Sequence, residues 1–329
     1  MSDMEYTKLG ETGLDVSRLC LGCMNFGSDA EWMMDDEEAS VDLIREAIDS
    51  GVNFLDTADV YSHGESEEIV GRAIEDYDRS ELVVATKVFG RMHEGPNGQG
   101  LSRKRIVEGC RESLDRLGLD YVDLYQIHRF DHETPIEETL DALDTLVDEG
   151  LVRYIGASTM AAWRFGKTLY EADLNGYRRF VSMQPEYNLV DRHEEENVLP
   201  LCAEEGIGVI PWSPLAGGFL TGKYDREAEP EGDVRAAGDD HTRARFTDEN
   251  WAVLEEVERL AEEKGTTPVG ISLAWLLSKE VVDAPIIGPR SPEQLEGNLE
   301  ALSVSLTERE VERLETPKDP VWSRAIGDV

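Results

Sequence analysis

Short apolar runs rich in β-branched residues alternate along this chain with longer stretches whose apolar residues recur every third or fourth position. The runs SRLCLG, VNFLDT, LVVATK, VDLYQIH, VRYIGAS, FVSMQPEYN, IGVIPWS and APIIG are eight strand candidates. Between them, EEASVDLIREAIDSG, SRKRIVEGCRESLDRLG and PIEETLDALDTLVDEG carry the helical period, the last with Pro135 near its start and Gly150 as a stop beyond its end. This alternation points to parallel βα units. Eight strands, each followed by a helix, predict an α/β fold of the closed (β/α)8 type, a TIM barrel, as one domain over residues 1–329. Residues 4–15, with Y-T-K-L-G and the turn-like E-T-G-L-D, predict an N-terminal β-hairpin. After strand 7, the segment from Ala216 to about Thr247 is too long for an ordinary βα connection. It reads either as a loop that closes over a ligand or as a mobile acidic insertion.

A length of 329 residues suits a barrel of this kind, and 40% hydrophobic residues suffice for a substantial core. No apolar run reaches eighteen residues, and MSDMEYTKLG lacks a basic segment followed by an apolar one. A cytoplasmic, unexported protein is expected. Cys20, Cys23, Cys110 and Cys202 are too few for a disulfide framework and read as reduced thiols. Cys20 and Cys23 form a C-x-x-C inside LCLGCM, without a second cysteine pair or a nearby histidine to complete a zinc site, so no metal is expected.

Charge adds a statement about habitat. There are 70 acidic against 32 basic residues, only 8 of them lysine, for a net charge of −38. The acids are spread along the chain. Such a surface repels itself until salt shortens the screening length, to about 3 Å at 1 M. Scarce lysine with dispersed acids resembles proteins of halophilic archaea; an ordinary acidic cytosolic protein is the alternative. A polyanion of this size is not expected to bind nucleic acid or an anionic membrane.

Asp56, Tyr61, Lys87 and His128 lie at or just beyond the C-terminal ends of three successive strand candidates, the end where barrels carry their active sites. A phenol with a pKa of about 10 is a poor acid at neutral pH, but an adjacent ammonium such as Lys87 lowers it. Asp56 would hold that lysine charged and aimed, while His128 could position a carbonyl oxygen or take part in proton transfer. On residues alone, Asp56 and Lys87 could equally be a structural ion pair. Ser158, Gln184 and Trp212 fall on the same rim.

The run D-T-A-D-V-Y from Asp56 to Tyr61, A-T-K ending at Lys87 and Q-I-H ending at His128 resemble the catalytic tetrad of aldo-keto reductases. Similarity extends from K-L-G-E-T-G-L-D-V-S at Lys8 to E-Q-L-E-G-N ending at Asn298. The resemblance implies an NADP-dependent oxidoreductase that interconverts aldehydes or ketones with alcohols, with Tyr61 as proton donor. Hydride needs a nicotinamide cofactor, and no G-x-G-x-x-G opens a helix after a strand, as a doubly wound dinucleotide fold would require. By resemblance, Ser158 and Gln184 meet the carboxamide, Trp212 stacks on the nicotinamide ring, and the role of Thr159 stays open. G-G-F-L-T-G-K from Gly217 fails as a phosphate loop because Tyr224 occupies the hydroxyl position. It matches instead the family's loop in which Ser213, Leu215 and Lys223 wrap the pyrophosphate, with help from Arg235. In I-I-G-P-R-S-P-E-Q-L-E-G-N, from Ile286 through Gly288 to Asn298, Arg290 or Ser291 would meet a 2′-phosphate and Gln294 and Asn298 the adenine or ribose. NADP(H) is therefore expected, with NAD(H) still open because Gly297 departs from the family's frequent glutamate. Channel-associated β subunits share this resemblance and bind NADP to regulate a membrane partner, but commonly carry asparagine where His128 stands, so His128 favours an enzyme. Met24, Asn25, Phe26, Phe89 and Arg129 adjoin the tetrad strands as pocket candidates for a small carbonyl or alcohol substrate, with sugars, dicarbonyls and aromatic aldehydes all left open.

Overall fold

The computed structural model describes residues 4–232 and 234–320. A hairpin of β1 (Tyr6–Lys8) and β2 (Asp15–Ser17) comes first, with Tyr6 opposite Ser17. Eight parallel strands follow: β3 (Cys20–Gly22), β4 (Phe54–Asp56), β5 (Val83–Val88), β6 (Val122–Ile127), β7 (Val152–Ser158), β8 (Ser182–Gln184), β9 (Gly208–Val209) and β10 (Ile286–Ile287). Their order is β10-β3-β4-β5-β6-β7-β8-β9. Asp283 N donates to Val209 O and Ile286 N to Pro211 O, both at 2.9 Å, and these bonds join the two edges into a barrel.

Helices α1 (Glu37–Asp49), α2 (Glu65–Ile74), α3 (Arg103–Leu117), α4 (Ile136–Asp148), α5 (Ala162–Asn175) and α6 (Val198–Glu205) each follow a strand. Their ends follow the sequence: Asp36 caps α1 by accepting from Ala39 N, Ser102 caps α3, and Gly118 at φ 64° ends it. The long segment after β9 carries a short turn over Ala216–Thr221 and the short helices α7 (Arg235–Gly238) and α8 (Asp240–Arg243). The chain continues through α9 (Asp248–Lys264), α10 (Pro268–Leu277), α11 (Pro292–Leu299) and α12 (Glu308–Glu315).

Two apolar layers result. Phe54, Val83, Ala85, Leu124, Ile210, Ala284 and Ile286 fill the barrel, and Leu9 and Val16 of the hairpin join them, closing its N-terminal end. Gly10 makes that closure possible: at φ 52°, an added Cβ would lie 2.5 Å from Gly208 N. The larger layer lies between strands and helices and takes in Cys23, Cys110 and Cys202, while Cys20 faces the barrel interior; all four are buried and unbridged. Among the described residues no helix is long and apolar enough to cross a membrane. With the N-terminal end plugged, the chemistry is left to the opposite rim.

Candidate active site

Strand pairing continues past β4, because Thr57 N donates to Ala85 O at 2.9 Å and Asp59 N to Lys87 O at 3.2 Å. The D-T-A-D-V-Y segment therefore runs beside β5 and delivers Tyr61 to Lys87. Lys87 is fully buried, and its ammonium donates to Asp56 Oδ1 at 2.5 Å, Thr57 O at 2.8 Å and Tyr61 Oη at 3.1 Å. All three donors are thus spent. Asp56 Oδ2 accepts from Gln126 Nε2 and Gln184 Nε2, both at 2.9 Å. His128 stands edge-on to Tyr61, ring centres 5.6 Å apart at 84°. The four residues come together, with Tyr61 and His128 half-buried at the solvent side.

Burial alone would discharge Lys87, but Asp56 and Tyr61 beside it more than reverse this and raise its pKa. For Tyr61 the expectation from sequence needs correction. Burial pushes the phenol above its usual value and outweighs the opposing pull of Lys87, so Tyr61 holds its proton at neutral pH. Burial, then Lys87 and Arg129, keeps His128 neutral, well below the usual imidazole range. The arrangement can give a proton from Tyr61, hold the resulting anion beside an ammonium, and offer a neutral imidazole to a polar atom.

Behind the Tyr61 loop lies a second charged cluster that the sequence reading missed. Glu67 of α2, fully buried, accepts from Thr86 Oγ1 at 2.5 Å and from Arg116 Nε at 2.7 Å. Asp59 pairs with Arg105 of α3, both buried, and burial raises the Asp59 carboxyl to about 7 against the pull of Arg105. Gly64 rests on Arg116: at φ 101°, a Cβ there would lie 2.5 Å from Arg116 Cδ. Ser62 and His63, at φ 45° and 52°, complete a left-handed turn directly after Tyr61. L-residues adopt such a turn at a cost of order 1–3 kcal/mol each unless the surroundings fix it.

The expected cofactor residues line the other side of the rim. Ser158 Oγ donates to Gln184 O at 2.9 Å; Gln184 has turned its NH2 to Asp56, and among the described residues no donor meets its Oε1. Trp212 is half-buried rather than a core side chain, and its Nε1 donates to Thr159 Oγ1 at 3.1 Å. Ser213 and Leu215 lie on a turn where Ser213, Ala216, Gly217 and Gly218 all have positive φ. Gly218 lets Lys223 approach, since a Cβ there would be 2.7 Å from Lys223 Nζ. Arg235 pairs with Asp239 at 2.8 Å and lies 5.0 Å over the ring of Trp32, whose carbonyl accepts from Arg290. Desolvation, then the guanidiniums of Arg290 and Arg235, depresses the ammonium of Lys223, although much of that side chain is exposed. Three cations converge there, and among the described residues Lys223 has no carboxylate partner. That ammonium, without a carboxylate partner, fits a phosphorylated cofactor. Ser291 caps α11 by accepting from Gln294 N at 3.3 Å, Gln294 Oε1 accepts from Arg290 N at 2.9 Å, and Asn298 is buried beneath them.

Among the pocket candidates, Met24, Phe89 and Arg129 are half-buried at the rim. Asn25 donates to Gly288 O at 2.7 Å and ties the first loop to the last. Phe26 is fully buried in the outer core, where the turn after Cys23 places it. Gln126 is the residue that sequence reasoning should have found, since it shares the inward period of Leu124 and His128 along β6. Glu67 gave no such signal in ESEE.

The profile of the aldo/keto reductase family matches residues 18–317. Versiconal hemiacetal acetate reductase of Aspergillus parasiticus is 40% identical over 96% of this chain and 98% of its own length. An aldo-keto reductase of Metarhizium robertsii is 38% identical over 95% of this chain and 90% of its own. A "probable voltage-gated potassium channel subunit beta" of Arabidopsis thaliana is 39% identical over 92% of each. The chain belongs to the aldo/keto reductase family.

Proposed function

We propose that this oxidoreductase interconverts aldehydes or ketones with alcohols using NADP(H) in preference to NAD(H), with Tyr61 as the proton donor. The observation that carries the reading is the 3.1 Å contact from a sealed, charged Lys87 to the phenol of half-buried Tyr61 at the barrel rim. A phenol that keeps its proton at neutral pH is suited to giving it to a carbonyl oxygen as that oxygen becomes negative. The tyrosinate left behind is stabilised by the Lys87 ammonium, and Asp56 keeps that ammonium charged. Neutral His128 can hold the same oxygen by hydrogen bonding. The nicotinamide, when bound, supplies the hydride that no side chain can give. Ser158, Gln184 and Trp212 would hold its ring; Ser213, Leu215, Lys223 and Arg235 its pyrophosphate; Gly288, Arg290, Ser291, Gln294 and Asn298 its adenosine half.

A regulatory role like that named for the Arabidopsis relative is the second reading, and His128 argues against it. Assay of an aldehyde panel with NADPH and NADH separates the two: turnover is expected, whereas tight NADPH binding without turnover of any aldehyde would favour the regulator. Arg290→Ala should weaken NADPH by about 1.5–3 kcal/mol, the scale of one charge-assisted contact, and weaken NADH far less. Equal weakening of both in a fluorescence titration would remove Arg290 as the discriminator. We also read the spread of acids as adaptation to a salty cytoplasm, and the whole chain as one catalytic unit.

A further inference from the structure

We propose that the site favours carbonyl substrates bearing an oxyanion, a carboxylate or a phosphate, and that Arg129 binds that group; this rests on the reductase reading above. In a chain with 70 acids to 32 bases, a sheltered cation near the active site has carboxylates available to it. Arg105, Arg116, Arg192, Arg235 and Arg245 each meet one. Arg129 does not. Its Nη1 donates to the carbonyl of His128 at 2.7 Å, and among the described residues its guanidinium has no other acceptor.

Arg18 and Arg164, half-buried and with no carboxylate ion pair among the described residues, are satisfied otherwise. Arg18 donates to the carbonyls of Leu277, Val282 and Asp283. Arg164 meets His132 and the rings of Phe130 and Trp163. Arg129 keeps most of its fork unused beside the reacting groups, because the residue that anchors it is the histidine facing Tyr61. Burial lowers its pKa and the proximity of Tyr61 acts against that, so its charge is felt at the phenol. A planar fork of this kind matches carboxylate or phosphate with two parallel hydrogen bonds, which an ammonium cannot do. Net charge of −38 repels anionic substrates from the surface at large, so their selection requires such a local cation.

The test is the ratio of kcat/KM within matched pairs: succinic semialdehyde against butanal, 4-formylbenzoate against its methyl ester, and glyceraldehyde 3-phosphate against glyceraldehyde. The first two arms report carboxylate and the third phosphate. In the wild type, at least one ratio should exceed about tenfold, the scale of one charge-assisted contact. Arg129→Met should bring that ratio to about one, and Arg129→Lys should leave it intermediate, since charge remains without the fork. Wild-type ratios near one in all three arms, with neutral aldehydes still reduced, overturn the proposal and leave the reductase reading standing. A ratio that survives Arg129→Met also overturns it. No turnover of any of the six with either cofactor overturns the reading and the proposal together. Should the variants fail to fold, competition by butyrate against butyramide on the wild type decides: inhibition by butyrate alone supports the proposal, and equal inhibition refutes it.

Discussion

Lys87 with Asp56, and Glu67 with Arg116, are both ion pairs sunk behind the Tyr61 turn, and they differ in where their remaining hydrogen bonds go. Lys87 spends its last donor on a phenol at the solvent boundary. Glu67 spends its second oxygen on Thr86, and Arg116 lies under Gly64, so that cluster closes on itself. Burying charge is costly unless each partner is satisfied, and removal of one partner typically costs about 3–5 kcal/mol. The first cluster uses such a pair to hold a proton donor ready. The second uses its pairs, together with Asp59 and Arg105, to fix a left-handed turn that would not hold by itself. Buried charge near an active site is therefore not evidence of chemistry; a contact with the proton-bearing atom of a half-buried rim residue is.

The largest expected effect tests the open cluster. Tyr61→Phe removes the transferable proton and leaves the ring, so turnover should fall by at least the 10²-fold typical of a lost general acid, with cofactor affinity kept. Rates within a factor of three of wild type would mean that another group gives the proton and that the two clusters do not differ in kind.

Glu67→Gln tests the closed one. The neutral amide leaves Arg116 without its carboxylate, so stability should drop by about 3 kcal/mol while turnover falls much less than in Tyr61→Phe. Denaturant unfolding read alongside kcat checks both halves. A variant as stable as wild type but as slow as Tyr61→Phe would assign the sealed cluster to catalysis.

This contrast marks the limit of what the sequence could tell. The eight strands were legible because continuous apolar runs and helical periods rarely arise otherwise, and Asp56, Tyr61, Lys87 and His128 because they stand at strand ends or, for Tyr61, five residues beyond one. Glu67 sits in ESEE on an amphipathic helix, where an acid reads as solvent-facing, and only its packing under Thr86 and Arg116 shows it buried. The direction of the Tyr61 shift was misread for a related reason. Sequence supplies the neighbour Lys87 but not the depth of burial that outweighs it. Likewise EAEPEGDVRAAGDD looks like loose loop until Arg235 is seen over Trp32, a contact across some two hundred residues that no local pattern encodes.

A smaller effect separates the clusters by pH. Burial raises the Asp59 carboxyl from 3.8 to about 7, so the folded state keeps its proton over a range in which the unfolded chain has lost it. The stability linked to that proton is whole below about pH 4, drains as pH rises, and is gone above about pH 7. Asp59→Asn cannot titrate. The wild type's advantage over it should shrink from pH 5 to pH 8, by on the order of 1–4 kcal/mol at about 1.4 kcal/mol per unit. An advantage that grows instead would show that Arg105 holds Asp59 ionised, as Asp56 is held by Lys87.

Salt provides the gentlest test, because it acts on exposed charge and barely on sealed charge. Surface pairs such as Arg226 with Asp248 or Lys104 with Glu108 contribute at most about 1 kcal/mol each and weaken when screened. Against that small loss stands the mutual repulsion of 70 acids, which relaxes as the screening length falls from about 10 Å at 0.1 M to below about 3 Å at 2 M. The melting temperature should therefore rise by a few degrees between roughly 0.1 and 2 M KCl, at about 2–4 °C per kcal/mol for a chain of this size class. Glu67→Gln should rise in parallel with the wild type, its deficit unchanged, because ions cannot reach Arg116 and Glu67 as they reach the surface. A flat or falling midpoint would show that the acids are no adaptation to salt. A deficit that closes as KCl is added would show that the second cluster is open to solvent, and the distinction between the two would be lost.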